Sequence, residues 1–247
     1  MLSLIALCAV APNSTYYLTY NRLVIGSLRG RTWKSLETVP NTTKKISLIK
    51  VGIGTVGGER VAKGLEKGEP NMAGYLTVDE GYDADGILFS GPVRVPRKVE
   101  VLPNSNETYI AVVDKFIKSK GLNSAVNITR LVRADLDGDG KDEVLIEASN
   151  RDLSTPSTVF QVQPGDYSLV LLRTLKRGKV YEIPLMFDRP SKDSINYVNK
   201  IAAIADFDRN GSLDVMVTSR YYEGASATLF NLRGTKVKKL VEMGDGV

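Results

Sequence analysis

The chain has 247 residues, 43% of them apolar and 25% charged, with a formal net charge of +5 and no histidine. This length and composition predict a globular protein with one large or two small domains, and they exclude wholesale disorder. The missing histidine excludes Ser-His-Asp and Cys-His catalysis and every histidine-based zinc site. The single cysteine, Cys8, excludes an intrachain disulfide and a thiolate cluster. Oxygen ligands remain, and these suit Ca²⁺ or Mg²⁺.

The 33 lysine and arginine residues outnumber the 28 acidic ones, but they are scattered in nothing longer than pairs such as Lys44 and Lys45. Proteins that bind nucleic acid usually concentrate their basic residues in a patch or stripe. Scattered charge is typical of a solvated surface, so we predict no nucleic-acid partner.

Residues 1–12 form an apolar stretch that is too short to span a bilayer, and no transmembrane span is predicted. An apolar run followed by small residues is typical of an export signal, whereas the lack of any basic residue before Arg22 is not. Two interpretations stay open, the remnant of an export signal and a buried strand, and the first is slightly favoured.

Residues 1–105 are predicted to form a β-rich amino-terminal region, either degenerate blades of a repeat or a separate β domain. Short apolar and β-branched segments predict its strands. They cover residues 15–20, 22–28, 44–53, 73–79, 86–91 and 97–102. The glycine-rich stretch "GIGTVGGER", residues 52–60, lacks the Lys-Ser/Thr ending of a phosphate-binding loop and is predicted to be a plain loop.

One amphipathic helix is predicted near residues 107–120. Its apolar residues recur at helical spacing, at Tyr109, Val112, Val113, Phe116 and Ile117. Asn106 can cap the start of the helix and Gly121 can end it. We expect the apolar face to pack on the sheets and not on a partner.

Residues 106–247 are predicted to hold this helix and two repeated units. Each unit reads as four short strands with turn signals between them, and the two units align at an offset of 71 residues. The aligned pairs include Ala134 with Ala205, Asp135 with Asp206, Asp137 with Asp208, Gly140 with Gly211, Glu143 with Asp214, and Val144 with Val215. Two four-stranded units with matching loops predict a mainly β fold with β-propeller-like blades.

Each unit contains one acidic loop, the first acidic loop at residues 135–143 and the second acidic loop at residues 206–214. Oxygen-bearing side chains stand at positions one, three, five and nine, glycine stands at six, and position seven can offer a backbone carbonyl. The predicted ligands are Asp135, Asp137, Asp139, Lys141 and Glu143 in the first loop, and Asp206, Asp208, Asn210, Ser212 and Asp214 in the second. Carboxylates about 4 Å apart repel by roughly 4 kcal/mol at an effective dielectric of about 20, and a divalent cation relieves that repulsion. Six or seven oxygens make a calcium shell, so two Ca²⁺ sites are predicted.

An EF-hand is excluded, because it requires flanking helices and a bidentate Glu at position twelve. Position twelve is Ile146 in the first loop and Val217 in the second. A solvated turn without metal remains the alternative, since Asp, Asn and Gly are common in turns. The stretch "GYDADGIL", residues 81–88, resembles a degenerate (decayed) third acidic loop, with Asp83 and Asp85 in register with the other two loops. No metal is predicted there.

The pattern Asp-x-Asp-x-Asp/Asn-Gly-x-x-Asp/Glu between strands resembles the FG-GAP/VCBS repeats of integrin α-subunit-like β-propellers. "DLDGDGKDEVLI" and "DFDRNGSLDVMV" carry the resemblance, which covers about residues 126–242. It implies calcium-stapled blades in an extracellular or cell-surface protein, with the ten ligand positions already named.

The favoured function is an exported, non-catalytic binding or adhesion module with structural calcium, in the extracellular space or cell envelope of a bacterium. Its partner would be a cell-surface protein or a polysaccharide. One alternative is an enzyme acting on carbohydrate or phosphoester through carboxylates, with Glu147, Asp166 and Glu223 as candidates outside the loops. A scaffold component of the cell envelope is the other. No catalytic residue is assigned, and the oligomeric state is left open.

Overall fold

The structure of the protein is a computed structural model, and it describes residues 14–35, 39–68, 73–81, 83, 85–151, 163–189, 197–221 and 223–246. The expectation for residues 1–12 lies outside the described residues. The described chain is mainly β, with one helix, and its strands form three antiparallel sheets. The prediction of a mainly β fold with one helix is confirmed. The described residues show neither a closed propeller nor a repeat of four-stranded blades, since the three sheets have eight, five and four strands.

The amino-terminal sheet has eight strands in the order β5-β4-β8-β1-β2-β7-β6, with β3 added beside β2. Its strands are β1 Thr15–Tyr20, β2 Leu23–Arg29, β3 Thr32–Lys34, β4 Ile46–Val51, β5 Val56–Ala62, β6 Gly64–Glu66, β7 Tyr75–Thr77 and β8 Ile87–Phe89. The longer strands follow the apolar and β-branched segments of the sequence, because such side chains fill a pleated, half-buried surface.

The predicted loop over residues 52–60 is wrong in its second half, where β5 begins at Val56. β5 is an edge strand with mostly exposed side chains, so its sequence lacks the apolar alternation that identifies a strand. Backbone pairing with β4 holds it in place, and Gly58, at φ +72°, accompanies a register shift in that pairing.

The five-stranded sheet has the order β13-β12-β11-β10-β9 and carries the helix. Its strands are β9 Val99–Leu102, β10 Ile128–Ala134, β11 Glu143–Ser149, β12 Ser168–Lys176 and β13 Lys179–Asp188. The helix α1, Glu107–Ser119, lies between β9 and β10 in the chain and buries Val112, Val113 and Ile117. These side chains share a core with Leu131, Ile146 and Leu169 of the sheet, which confirms that α1 packs on a sheet.

The four-stranded sheet has the order β14-β15-β16-β17. Its strands are β14 Val198–Ala205, β15 Asp214–Arg220, β16 Gly224–Arg233 and β17 Lys236–Gly246. Both this sheet and the five-stranded sheet end in a two-residue hairpin turn, at Arg177-Gly178 and at Gly234-Thr235. Positive φ at Arg177, Gly178 and Gly234 gives these turns the twist that suits a hairpin.

The three sheets share apolar cores. One core joins Leu18, Ile25 and Phe89 of the amino-terminal sheet to Leu229 and Val241 of the four-stranded sheet. A second core joins the five-stranded and four-stranded sheets, through residues such as Leu145, Leu172, Ile204 and Val217. At the first of these interfaces a Cβ on Gly26 would lie 2.8 Å from Cγ1 of Val241, so only glycine permits the two strands to approach so closely.

Candidate metal loops

The two acidic loops occupy matching positions in their sheets and lie side by side. The first joins β10 to β11, and the second joins β14 to β15. The backbone N–H of Leu213 donates to the carbonyl of Leu136 at 2.7 Å, so the loops are linked directly. The backbone N–H of Gly234, in the turn of the four-stranded sheet, donates to Oδ2 of Asp137 at 2.7 Å.

Hydrogen bonds within the first acidic loop fix its carboxylates. Asp135 accepts from the N–H groups of Gly138 at 2.8 Å and Gly140 at 3.2 Å. Asp139 accepts from the N–H of Lys141 at 3.0 Å. Gly138 and Gly140 have φ of +80° and +84°, a backbone conformation that glycine adopts without strain. Oxygens of Asp135, Asp137 and Glu143 come within 4.8 Å of one another, the spacing of a set that can bind one metal ion.

The first acidic loop contains its own cation, which the sequence alone did not reveal. Nζ of Lys176, at the end of β12, lies 2.6 Å from Asp139, 2.9 Å from Asp137 and 3.0 Å from Glu143. Burial acts to lower the pKa of Lys176, but hydrogen bonds to these three carboxylates raise it well above its usual value. The ammonium group therefore stays charged and balances the carboxylates of this loop.

Glu143 is the most buried acid of the first acidic loop. Its Oε1 accepts from Oγ1 of Thr174 at 3.0 Å and its Oε2 accepts from the N–H of Leu136 at 3.0 Å. Burial raises the pKa of Glu143, and the hydrogen bond from Lys176 opposes that shift. Every carboxylate oxygen of Glu143 thus has a partner.

The second acidic loop repeats these turns with more deeply buried groups. Asp206 is fully buried, and its Oδ2 accepts from Nε of Arg94 at 2.8 Å and from the N–H of Gly211 at 3.1 Å. Asp208 accepts from Asn210 through the backbone N–H at 3.1 Å and the side-chain amide at 3.0 Å. Oδ1 of Asn210 in turn accepts from the N–H of Ser212 at 2.7 Å.

Two carboxylate oxygens in the second acidic loop are buried without a hydrogen-bond partner, Oδ1 of Asp206 and Oδ2 of Asp214. Asp214 is fully buried, and only its Oδ1 accepts a side-chain donor, Nδ2 of Asn231 at 2.7 Å. Burial raises the pKa of Asp214 well above its usual value, hydrogen bonds from the Asn231 side chain and the Phe207 backbone oppose that shift, and the nearby charges of Asp208 and Asp206 add to it. A buried ionised oxygen without a partner costs several kcal/mol, so this loop is electrostatically incomplete.

The contrast between the loops comes from one pair of equivalent positions. Lys176 and Arg233 each precede the hairpin turn of their sheet, and Thr174 and Asn231 stand two residues earlier. Thr174 contacts Glu143 and Asn231 contacts Asp214, so those roles are preserved. Arg233, however, is exposed, and among the described residues it forms no ion pair within 4 Å. Among the described residues, only the first loop brings three carboxylates within 4.8 Å of one another, while in the second loop Asp206 pairs with Arg94 and two buried aspartate oxygens have no hydrogen-bond partner.

Two arginines before β9 contact both loops and were also missed from the sequence. Arg94 binds Asp206, and Nε of Arg97 donates to the carbonyl of Asp135 at 2.6 Å. The stretch "RVPR", residues 94–97, contains both arginines, but nothing near it in the sequence predicts that they contact the two acidic loops.

The remaining acidic candidates have structural partners or are exposed. Glu147 accepts from Oγ1 of Thr129 at 2.7 Å and from the N–H of Ile201 at 2.7 Å, so it ties the five-stranded sheet to the four-stranded sheet. Asp166 accepts from the N–H of Gln163 at 2.9 Å. Glu223 is exposed. At the decayed third loop, Asp83 forms an ion pair with Arg60 at 2.9 Å.

No family model, curated protein or solved structure matches the chain. Within the described part of the chain, no helix has both the length and the apolar character needed to cross a membrane.

Proposed function

We propose that the protein binds Ca²⁺ in the second acidic loop and uses it to hold the ends of β14 and β15 together. One observation carries this proposal, the two buried carboxylate oxygens of Asp206 and Asp214 that have no hydrogen-bond partner. A divalent cation bound in the loop would be coordinated by both oxygens, and its charge would offset the repulsion among the three aspartates of the loop. Protonation of Asp214 relieves only part of it, because Oδ1 of Asp206 still has no hydrogen-bond partner.

The donor set of the second acidic loop favours Ca²⁺ over Mg²⁺. Asp206, Asp208, Asn210 and Asp214 offer side-chain oxygens, and Ser212 can offer its backbone carbonyl. Ca²⁺ accepts six to eight oxygens in a flexible shell, whereas Mg²⁺ requires a near-ideal octahedron and retains its waters. When bound, the ion supplies charge neutralisation and a cross-link between the ends of β14 and β15, and no chemical step is assigned to it.

In the first acidic loop, we propose that Ca²⁺ and the ammonium group of Lys176 compete for the same carboxylates. Asp137 and Glu143 contact Lys176 and are also part of the closely spaced acidic set. A metal ion entering there must displace the ammonium group, which lowers the affinity of this loop relative to the second. The two sites expected from the sequence are thus unequal.

A Ca²⁺ ion that links strand ends in this way supports the proposal that the protein is an exported, non-catalytic binding or adhesion module. The proposed module is related to FG-GAP/VCBS repeats and has propeller-like blades. Millimolar calcium outside the cell fills sites of modest affinity, and this favours an extracellular or cell-envelope location. Glu147 is the most buried described acid outside the two acidic loops, and both of its carboxylate oxygens are hydrogen-bonded, which supports a non-catalytic role. A cell-surface protein or polysaccharide remains the proposed class of partner.

Calorimetric titration of the chelator-stripped protein with CaCl₂ tests this function. We expect the wild-type protein to bind one Ca²⁺ more tightly than any second one, and Asp206→Asn to lose the tight site. Asp114→Asn makes the same carboxylate-to-amide change in a partly exposed side chain of α1. It is the matched control, and we expect its calcium binding to be unchanged. Equal heats for the wild-type protein and Asp206→Asn would contradict the assignment of the second loop.

A further inference from the structure

A cavity of about 520 Å³ opens beside the second acidic loop, and its walls are strongly basic. Arg31 contributes from the turn between β2 and β3, and Arg233, Lys236 and Lys238 contribute from the hairpin of β16 and β17. We refer to it as the basic cavity. Its volume lies within the range of about 300–1,000 Å³ that is usual for small-molecule sites.

The four basic side chains of the basic cavity have no counter-charge within ion-pair distance among the described residues. All four are exposed, and none of them has a carboxylate within 4 Å. Asp208 is the one acidic residue that lines the cavity, so the formal charge of the lining is four minus one, or +3.

The hairpin places two of these cations directly opposite each other. Arg233 and Lys236 are partners in the ladder between β16 and β17, and Lys238 is the partner of Asn231. Directly opposed side chains in an antiparallel ladder lie on the same face, and like charges there are destabilising. Removing either charge would relieve that repulsion, so the arrangement costs stability and gains nothing within the protein itself. An anion bound between the two side chains offsets this cost.

The uncharged part of the lining suits a polar organic ligand. Trp33 offers an aromatic surface, and its indole N–H is buried without a hydrogen-bond partner. Thr32, Asn210 and Asn231 supply hydroxyl and amide groups. Charged side chains fix anionic groups by charge-assisted hydrogen bonds, while an aromatic face and a few polar groups orient the body of the ligand.

We propose that the basic cavity binds a small ligand that carries at least two anionic groups, whether phosphate, sulfate or carboxylate. Arg233, Lys236 and Lys238 contact the anionic groups from the hairpin, and Arg31 contacts them from the turn between β2 and β3. Nucleic acid is a poorer fit, because the basic residues line a single cavity and do not continue as a stripe. The four basic residues lie outside the second acidic loop, so an anion can bind in the absence of calcium, although Asp208 belongs both to the cavity lining and to the proposed calcium ligands.

Trp33 is the single tryptophan of the chain, so its fluorescence reports directly on the basic cavity. The experiment titrates the full chain in calcium-free buffer at constant ionic strength with pyrophosphate, a disulfated disaccharide and citrate in separate runs. We expect a saturable change in Trp33 emission with at least one probe, and the tightest probe identifies the anionic group. Because calcium is left out, the outcome is independent of the calcium titration.

The variants Arg233→Gln and Lys238→Gln each remove one cation from the basic cavity. Each is expected to weaken binding by about ten-fold or more, the loss typical of one charge-assisted hydrogen bond. Lys115→Gln makes the same change of charge on the exposed face of α1 and leaves the affinity unchanged. Thermal melts of the three variants are the control for folding, and we expect melting temperatures close to that of the wild-type protein. No saturable change with any probe at millimolar concentration, or equal losses in Lys115→Gln and Arg233→Gln, would overturn the proposal.

Discussion

Lys176 shows how a single side chain changes the chemistry of an acidic loop. Its ammonium group contacts three carboxylates within 3.0 Å, and its side chain is 15% exposed. The equivalent Arg233 lines the basic cavity, and although Arg94 pairs with Asp206, two buried aspartate oxygens of the second acidic loop have no hydrogen-bond partner. We infer that one loop is balanced by the protein and that the other depends on a metal ion.

We predict that Lys176→Met destabilises the protein in the presence of chelator and makes calcium binding stronger at the first acidic loop. Loss of the cation leaves partly buried carboxylates unpaired, and this costs about 2–3 kcal/mol of unfolding free energy. Calcium should restore most of the loss, and a second tight equivalent should appear in calorimetry. Urea unfolding in chelator and in calcium measures both effects, with Lys115→Met as the control. Wild-type stability of Lys176→Met in chelator would show that the ammonium group is not needed there.

Asp188 provides a pH-dependent contribution to stability that lies away from both acidic loops. Its Oδ2 accepts from Nδ2 of Asn199 at 2.5 Å, and burial raises its pKa above the usual 3.8 in spite of that hydrogen bond. A carboxyl whose pKa is higher in the folded state binds its proton more tightly there. Stability is therefore lost as the pH rises from the unfolded value of 3.8 through the folded pKa, and the full cost is present at neutral pH.

We predict that Asp188→Asn is more stable than the wild-type protein at neutral pH. The amide oxygen can still accept from Asn199, but no charge has to be buried. The difference in unfolding free energy should shrink as the pH falls and vanish once Asp188 is protonated in both states. Urea unfolding between neutral and acidic pH measures it. A stability gap that stays constant across this range would show that ionisation of Asp188 is not its cause.

At the scale of elements, α1 is the segment that the sequence predicted most fully. Asn106 caps it by accepting from the N–H of Thr108 at 3.1 Å, and Gly121 follows it at φ +73°. Phe116 packs edge-on against Phe187 of β13, with ring centroids 5.3 Å apart. Local capping and apolar spacing both favour this helix, and its tertiary contacts agree with them.

The variant Asn106→Ala should lower the unfolding free energy by about 1 kcal/mol, because the first turn of α1 loses a hydrogen bond to its cap. Asn123→Ala alters an exposed asparagine just beyond the helix and should change stability by only a few tenths of that. Urea unfolding of the three proteins makes the comparison. If the two variants were equally stable, the cap would contribute nothing measurable to the fold.

The strands and acidic loops that could be predicted are those whose signal is local. β1, β11 and the turn at Arg177-Gly178 each carry their own pattern of β-branched residues or turn residues. β3 and β5 do not, because they are held by pairing with β2 and β4 and not by an apolar face. The contact of Lys176 with the first acidic loop could not be predicted either. Lys176 lies 33 residues from Glu143 in sequence, and the pairing of β11 with β12 brings the two together.

At the scale of the whole molecule, Phe207 connects the second acidic loop to the amino-terminal sheet. It lies between Asp206 and Asp208 in the chain, is fully buried, and packs against Phe89 with ring centroids 5.4 Å apart. Trp33 of the basic cavity lies 6.5 Å from the same ring. The second acidic loop, the basic cavity and the amino-terminal sheet therefore meet at the aromatic cluster of Trp33, Phe89 and Phe207.

We predict that Phe207→Ala costs about 3–5 kcal/mol of unfolding free energy and weakens calcium binding, since the cavity it leaves lies directly beneath the second acidic loop. Phe207→Leu, which keeps most of the buried volume, should cost less than half as much and is the control. Denaturant unfolding and calcium calorimetry report the two effects separately. Wild-type calcium affinity in a folded Phe207→Ala would show that the loop is positioned without this aromatic cluster.

The most direct test of the central claim is a crystal structure of the protein grown in calcium at a resolution that separates metal ions from water. The account predicts one Ca²⁺ in the second acidic loop, with Oδ1 of Asp206 and Oδ2 of Asp214 among its ligands at about 2.3–2.6 Å. Lys176 should remain in the first acidic loop if that loop does not bind the metal ion. A second acidic loop in which water or a proton satisfies both aspartate oxygens, with no metal ion beside them, would contradict the account.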